Sequence, residues 1–473
     1  MSLQYALVGD MSWQTRAKWQ TCDTPFMSFA FWQALQDTGA IGERAGWLPI
    51  FVLVYRSSRT DTDALSTDAL SIENKALMQP VAVMPVFVKG HHQGEFVFDY
   101  AWAEAYARYG MDYYPRLVTS VPFTPITGQR LWLAVGETLT AEMIQTAMAG
   151  VDDIAQQVGA SGWHGLFVTP ELATLAASTD DEIAQVINRQ YSANNVNSAR
   201  HVTGSIHSSE ACDDDKALLD ISAVQMPILE RQGCQFLWQN KNLSQNAQPF
   251  TDFESFLSVL KAKKRKTIRA ERRKVAAQDI VCVRKCGDAI TEADWQAFYH
   301  CYVMTYAVRG QQPYLSADFF AALAETMSEH IMLAQALDSH GEIIASSLFL
   351  YDSPDSPDVS TASTLYGRYW GALSEYDSLH FELCYYQGIE FAIEKGLMYF
   401  DPGTQGEHKL IRGFIPTPTH SLHRIYDARF VPAISSFCRD DRTHMAQYRA
   451  QAHSALPFNS DNMPVFDSDV SKL

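Results

Sequence analysis

Apolar residues in this chain fall in short unbroken blocks between polar turns, the pattern of strands buried on both faces. In the first half such blocks predict strands over 48–55, 81–88 and 94–99. Residues 139–158 then carry apolar positions at helical spacing, stop at Gly159 and lead into the apolar run 162–168. The second half repeats the order: strands over 331–337, 342–351 and 364–370, a helix from about 379 to 395 stopped by Gly396, and a strand over 397–401. Hairpin strands followed by a helix that returns to another strand predict a mixed sheet with a crossover helix. The same order twice predicts a duplicated α/β domain.

Polar stretches punctuate this pattern. Residues 56–79 hold Asp63-Ala-Leu-Ser-Thr67 followed by Asp68-Ala-Leu-Ser-Ile72, and strand-like runs flank them, so they read as an expanded hairpin loop. Residues 176–224, rich in Ser, Asn, Asp and His and containing Asp213-Asp-Asp215, read as an acidic excursion between domains. A third loop covers 353–360. The expected division is an N-terminal domain over 1–175, an acidic linker over 176–235 and a C-terminal domain over 236–473, within the two or three domains that 473 residues allow.

Composition narrows the class. With 47% hydrophobic and 12% aromatic residues the chain buries large cores. Its charge, 37 cations against 54 carboxylates for a net −17, argues against nonspecific nucleic-acid binding by the molecule as a whole. No apolar run reaches the ~18 residues of a membrane span, and the first ten residues lack the features of a secretory signal. Eight cysteines without paired spacing suit reduced thiols, so a cytoplasmic location is expected.

Two stretches concentrate chemistry. Thr251-Asp-Phe-Glu254 has capping-box spacing, and Phe253, Phe256, Leu257 and Leu260 follow at helical spacing, which predicts a helix over 252–277. Its segment Lys261–Lys274 holds nine cations and one carboxylate, Glu271. A charge run is ordinarily a solvated face. Nine mutually repelling cations in an acidic chain instead suit a phosphate-bearing ligand, whether a cofactor pyrophosphate, a nucleic-acid backbone or a lipid headgroup, with Arg265 and Arg269 as contacts. The other stretch runs from Asp401 to Phe414 and begins where strand 397–401 ends, the position where open α/β sheets collect chemistry. Glu407 and His408 are its candidate acid–base pair, against a structural hydrogen-bonding role. Lys409 and Arg412 suit a phosphate or carboxylate, against a solvated face. Asp401 orients an imidazole or makes the turn before Pro402, and Gln405 adds an amide. On the helix from about 379, His380 and Glu382 are further acid–base candidates, with a helix-dipole role as the alternative for Glu382; Tyr385 and Gln387 bring polar ends to the same region. Glu407, His408, His420 and His423 match no zinc spacing, so no metal is expected.

Three of these segments carry a family resemblance: the basic helix Lys263–Val275, the stretch Leu365-Tyr-Gly-Arg368-Tyr-Trp-Gly371 continuing to Leu379–Ile389, and Gly403–Gly413. Pro25–Phe31, Gly94–Ala103 and Pro122–Gly128 in the first half agree. Together they resemble a bacterial family of N-acyltransferases, related to Fem-type aminoacyl transferases and loosely connected with peptidoglycan biosynthesis or recognition. The resemblance implies a duplicated GNAT-like acyl-CoA N-acyltransferase fold with mixed central sheets flanked by helices. It also implies transfer of an acyl or aminoacyl group from a phosphate-bearing donor to a small-molecule amine, with cell-wall metabolism as the setting the resemblance suggests. No tightly bound cofactor is implied; acyl-CoA would be a co-substrate. Arg368-Tyr-Trp-Gly371-Ala-Leu373 follows the pyrophosphate-loop pattern except that Leu373 stands where glycine or alanine belongs, which leaves the donor open between acyl-CoA and aminoacyl-tRNA. A non-catalytic module of the same fold, binding an anionic or cell-wall ligand, is the alternative.

Overall fold

The computed structural model describes residues 2–57, 78–188, 226–352, 363–404 and 406–466. Its strands are β1 Leu3–Val8, β2 Trp47–Ser57, β3 Met78–Lys89, β4 Arg116–Thr119, β5 Trp132–Leu133, β6 Gly162–Val168, β7 Ile228–Gln239, β8 Val281–Cys286, β9 Ile331–Leu337, β10 Ile343–Tyr351, β11 Thr364–Ala372, β12 Tyr399–Asp401 and β13 Ile415–Ile425. The helices used below are α1 Phe29–Asp37, α2 Tyr100–Arg108, α3 Ala141–Val158, α4 Pro170–Ala176, α5 Phe253–Ser258, α6 Ala262–Ala276, α7 Glu292–Ala307, α8 Ala317–Thr326, α9 over residues 379–394 and α10 Val431–Ser454.

The strands form one mixed sheet in the order β1-β2-β3-β4-β6-β13-β7-β12-β11-β10-β9-β8, with β5 beside β3. Each half has four antiparallel strands, a crossover helix and a parallel strand: α3 leads into β6 beside β4, and α9 into β12 beside β11. The duplicated order expected from the apolar pattern is present. The halves are then joined by exchange. β7, which follows the first half in the chain, pairs with β12 of the second, while the last strand, β13, pairs with β6 of the first. β7 and β13 pair with each other from Ile415↔Leu237 to Arg424↔Ile228. β7 runs across the expected division at 235/236.

Three of the four apolar cores among the described residues cover the two halves of the sheet, and the fourth packs α2 and α10 against β7 and β13. α3 packs Met143, Ala147 and Val151 on one face of the first half, against Val52, Met84 and Val86. α5, α6 and α9 cover one face of the second half with Phe256, Ile268, Leu383 and Ile389. The third core is common to both: Phe51, Val83 and Phe87 of the first half and Leu333, Leu348 and Tyr366 of the second lie in one cluster with α1, α7 and α8. Phe31 of α1 meets Phe319 of α8 edge-on, at 5.6 Å. α7 lies so close to β11 that a Cβ on Gly371 would stand 1.8 Å from the carbonyl oxygen of Cys301. Gly371 therefore sits in the strand as a packing glycine, not in a loop before the helix.

Two local expectations are corrected. Residues 94–99 form no strand: Phe96 holds φ 62°, and Glu95 and Asp99 are buried beside Arg116, so alternating side chains there are polar and turned inward. The helix expected over 252–277 is two helices, broken at 259–261. The capping box on α5 is made by Asp252 with Ser255, whose backbone N–H reaches Asp252 Oδ1 at 2.6 Å, not by Thr251 with Glu254.

The seam between β6 and β13 holds a buried histidine pair, with Nδ1 of His164 2.7 Å from Nδ1 of His423. Burial first, then nearby Arg116 and Arg231, pushes both imidazoles well below their ordinary pKa of 6.5. They are neutral in the folded chain and take up protons once unfolded. The unfolded state thus binds more protons below pH 6.5, and stability falls as pH drops through that value. The urea midpoint is expected to fall steadily from pH 7 to about pH 5, and His423→Gln should flatten that slope; an unchanged slope would contradict this origin.

Candidate active site

The site forms where β11 and β12 part. They pair in parallel only at Thr364↔Tyr399, Leu365↔Phe400 and Tyr366↔Asp401, after which β12 ends and β11 runs on. On the other side of β11, Leu348 of β10 pairs with Tyr369 and Phe349 with Gly367, so Arg368 is a β-bulge. A bulge re-aims the side chain it carries. Here it sends Arg368 to Asp401, with Nη2 donating to Oδ2 at 2.9 Å. Oδ1 of Asp401 accepts from the Gly403 N–H at 2.8 Å. The ammonium of Lys409 donates to the carbonyls of Gly403 at 2.6 Å and Thr404 at 3.3 Å, and burial pulls its pKa down to about 8. Arg368, Asp401 and Lys409 are thus brought together, and what they do is hold the loop after β12 in shape.

That loop presents His408 to the start of α9. The helix opens with Leu379–Phe381, passes through a π-helical turn at Glu382–Tyr386 and resumes as Gln387–Glu394. π-turns are uncommon and often mark functional positions. The phenol oxygen of Tyr385 lies 2.7 Å from Nε2 of His408 and 3.4 Å from Nε2 of His380. Nδ1 of His380 is 3.4 Å from Sγ of Cys384, which in turn is 3.7 Å from Oγ of Ser347 on β10. The edge of Trp370 closes one side, 5.2 Å from the His380 ring. Burial, followed by the charges of His408, Arg412 and Lys409, pushes His380 down to about 4. His408 is exposed but also lowered, by desolvation and then by Arg412 and Lys409. Burial pushes the Cys384 thiol up to about 12, which keeps it protonated. Two neutral imidazoles therefore share one phenol at the mouth of the opening.

The other candidates are placed elsewhere. Glu382 is buried and held by Arg272, through Nε at 3.1 Å and Nη2 at 3.0 Å, and by Gln387 at 2.7 Å. Arg272 also reaches Glu390 at 2.5 Å, so this group ties α6 to α9. Arg412 is buried with its guanidinium 3.6 Å over the Phe381 ring. It donates to Glu271 at 2.7 and 2.8 Å, to Tyr386 Oη at 2.8 Å and to the His408 carbonyl at 2.7 Å. Arg265 caps the carbonyl of Leu260, and Arg269 pairs with Glu254 in solvent. Glu407 is exposed and accepts from Tyr448 at 3.3 Å, away from His408. Gln405 lies outside the described residues. Lys263, Lys264, Lys266 and Arg273 of α6 have no partner among the described residues. Of these, Lys263, Lys266 and Arg273 are exposed and at helical spacing share one face.

Trp370, Cys384, Ser347, Glu271 and Arg272 were not legible as site residues. Glu271 and Arg272 lie inside the charge run, where nothing in the spacing separates a residue turned to the core from one turned to water.

A sequence model of the FemAB-like family, described as peptidoglycan biosynthesis/recognition, matches residues 8–210 and again 205–460. The chain belongs to this family, and the double match agrees with the two halves of the sheet. No curated protein sequence matches it. Among solved structures, it overlaps L-PGS from Bacillus licheniformis at 9% identity and a TM-score of 0.41, over 90% of this chain and 98% of that one. A conserved protein of unknown function from Bacteroides thetaiotaomicron overlaps at 12% identity and 0.37, over 87% and 93%. A probable N-acyltransferase from Enterococcus faecalis overlaps at 8% and 0.32, over 90% and 73%. Overlaps this loose carry no argument of their own.

Arg412 sets the rigidity of the site, because a buried guanidinium that loses its carboxylate keeps an uncompensated charge. Glu271→Gln is expected to cost about 3 kcal/mol of unfolding free energy in urea. Glu254→Gln, which breaks a solvent-exposed pair, should leave the urea midpoint almost unmoved. Equal costs would contradict this ranking.

Proposed function

We propose that the chain is an N-acyltransferase that moves an acyl or aminoacyl group from a phosphate-bearing donor to an amine at the opening between β11 and β12. The observation that carries this reading is the shared phenol: Tyr385 Oη between two imidazoles whose pKa values are both lowered. Amide formation needs a base that takes a proton from the attacking amine nitrogen, and a neutral imidazole has a free lone pair to accept it. The tautomer that satisfies every contact has His408 Nε2–H donating to Tyr385, Tyr385 O–H donating to His380 Nε2, and His380 Nδ1–H donating to Cys384. Nδ1 of His408, without a partner among the described residues, is then the basic atom.

In this arrangement the amine enters neutral, and as its nitrogen lone pair attacks the donor carbonyl carbon, Nδ1 of His408 takes one proton from that nitrogen. The resulting imidazolium is stabilised through Tyr385. Collapse of the tetrahedral intermediate breaks the bond to the donor's sulfur or oxygen, and the imidazolium returns the proton to that leaving atom. Among the described residues the backbone of β11 beyond Tyr366 has no strand partner on the β12 side, which leaves its N–H groups for the donor's carbonyl oxygen or amide chain. Phosphates of the donor fall to the exposed cations of α6, Lys263, Lys266 and Arg273, and not to Arg265, Arg269, Arg368 or Arg412, which are already engaged. Both donor classes suit this division, as does an acceptor from cell-wall metabolism, in keeping with the family.

His408→Ala is expected to lower kcat by roughly 10²–10⁴-fold, the usual worth of a general base. Tyr385→Phe should lower kcat less and shift the acid limb of the rate profile. In the wild-type chain that limb should lie below pH 6.5, since His408 must be neutral to act. The profile of transfer rate against pH checks both; a His408→Ala variant with full activity would sink the assignment.

A further inference from the structure

A second concavity lies on the other face of the sheet, in the core common to both halves. It encloses about 380 Å³ between the loops of the first half and residues 311–314 of the second, within the range of roughly 300–1,000 Å³ typical of small-molecule pockets. Tyr314 supplies a partly exposed aromatic ring, with Phe123 and Trp47 buried behind it, Gly39, Ala40 and Ala45 leave room, and among the described residues no charged side chain lines it. The Phe123 and Tyr314 rings stack at 5.3 Å and 24°, joining the two halves at its wall.

The pocket is rigidly built. Phe123 is held at φ 58°, against Gly94, where a Cβ would stand 2.6 Å from the Phe123 ring. Backbone strain of this kind persists only where the surroundings over-determine it. The buried ammonium of Lys89 lies 3.5 Å over the Trp47 ring and donates to the Gln93 carbonyl at 2.9 Å. His91 accepts from the Gln93 N–H at 3.2 Å and reaches the Ala45 carbonyl at 3.2 Å, so both its nitrogens are used in fixing the loop. The polar groups left for a ligand are the side-chain amides of Gln93, Gln311 and Gln312, without partners among the described residues. The indole N–H of Trp47 is buried and has no acceptor among the described residues.

The geometry points to a binding site for an uncharged, hydroxyl-rich ring, a saccharide unit, separate from the transfer site. Three amides offer donors and acceptors at the rim, which suits a ring edged with hydroxyls, and the absence of charge excludes a phosphate or carboxylate. A nucleobase would need a slot between parallel aromatic faces. Here one face of Trp47 is covered by Lys89, and Phe123 is already stacked on Tyr314. The site lies across the sheet from His380, Tyr385 and His408, so this assignment stands or falls independently of the transfer reaction.

Titration of the full chain with cellobiose and with N-acetylglucosamine, followed by saturation-transfer NMR, tests it, with adenosine as the comparison. At least one saccharide should bind saturably in the ~1 mM range or tighter. The rim variant Gln93→Ala/Gln312→Ala, whose exposed side chains support no core, should weaken it at least ~10-fold, and His408→Ala should leave it unchanged. No saturable binding of either saccharide, preference for adenosine, or binding indifferent to the rim variant would overturn the assignment.

Discussion

The pairing of β7 with β13 is the constraint on which the rest of the molecule depends. Each strand belongs by chain order to one half and by hydrogen bonding to the other, and their register runs unbroken from Ile415↔Leu237 to Arg424↔Ile228. A sheet joined this way has no free edge at its centre, so the halves do not separate without breaking the ladder. The common core beneath it, in which Phe31 of α1 meets Phe319 of α8, closes the same joint with apolar contacts. Both pockets inherit their rigidity from this joint: one opens where β11 leaves β12, the other where Phe123 meets Tyr314.

Around the transfer site, the charges have been divided by burial. Arg272, Arg368 and Arg412 are committed to Glu382 and Glu390, to Asp401, and to Glu271 respectively. Buried charges without partners would cost far more than a surface pair returns, so these cations act as scaffolding. Their fields still matter, because Arg412 and Lys409 help keep His408 and His380 neutral. The ends of the network that face the opening are uncharged groups able to exchange protons, and the cations left for a ligand lie outside, along α6.

Much of this was readable from the chain. Unbroken apolar blocks located the inner strands β2, β3, β6, β9, β10 and β11, which are largely buried, and glycine stops located both crossover helices. The exchanged strands were not legible. β13 carries Pro416, Pro418, His420 and His423, and β7 carries Glu230, Arg231 and Gln232. Both prolines are tolerated because, among the described strands, β13 has no neighbour on its far side until His420, a tertiary circumstance that no local pattern announces. The cluster after β12 was visible as polar density, and His408 and His380 do meet there through Tyr385. The roles of its cations and of Glu382 were not visible, since a bulge at Arg368 and a π-turn at Glu382–Tyr386 decide which way those side chains point.

The central claim is amide formation at the opening between β11 and β12. It is tested most directly by incubating the purified chain with a primary-amine pool and, separately, with acyl-CoA and aminoacyl-tRNA donors, then searching for new amides by mass spectrometry. The account predicts a product whose mass is donor acyl group plus amine, formed from one donor class and lost in the His408→Ala/Tyr385→Phe double variant with its fold intact. An amide formed equally well by that variant, or none from either donor class, would contradict it.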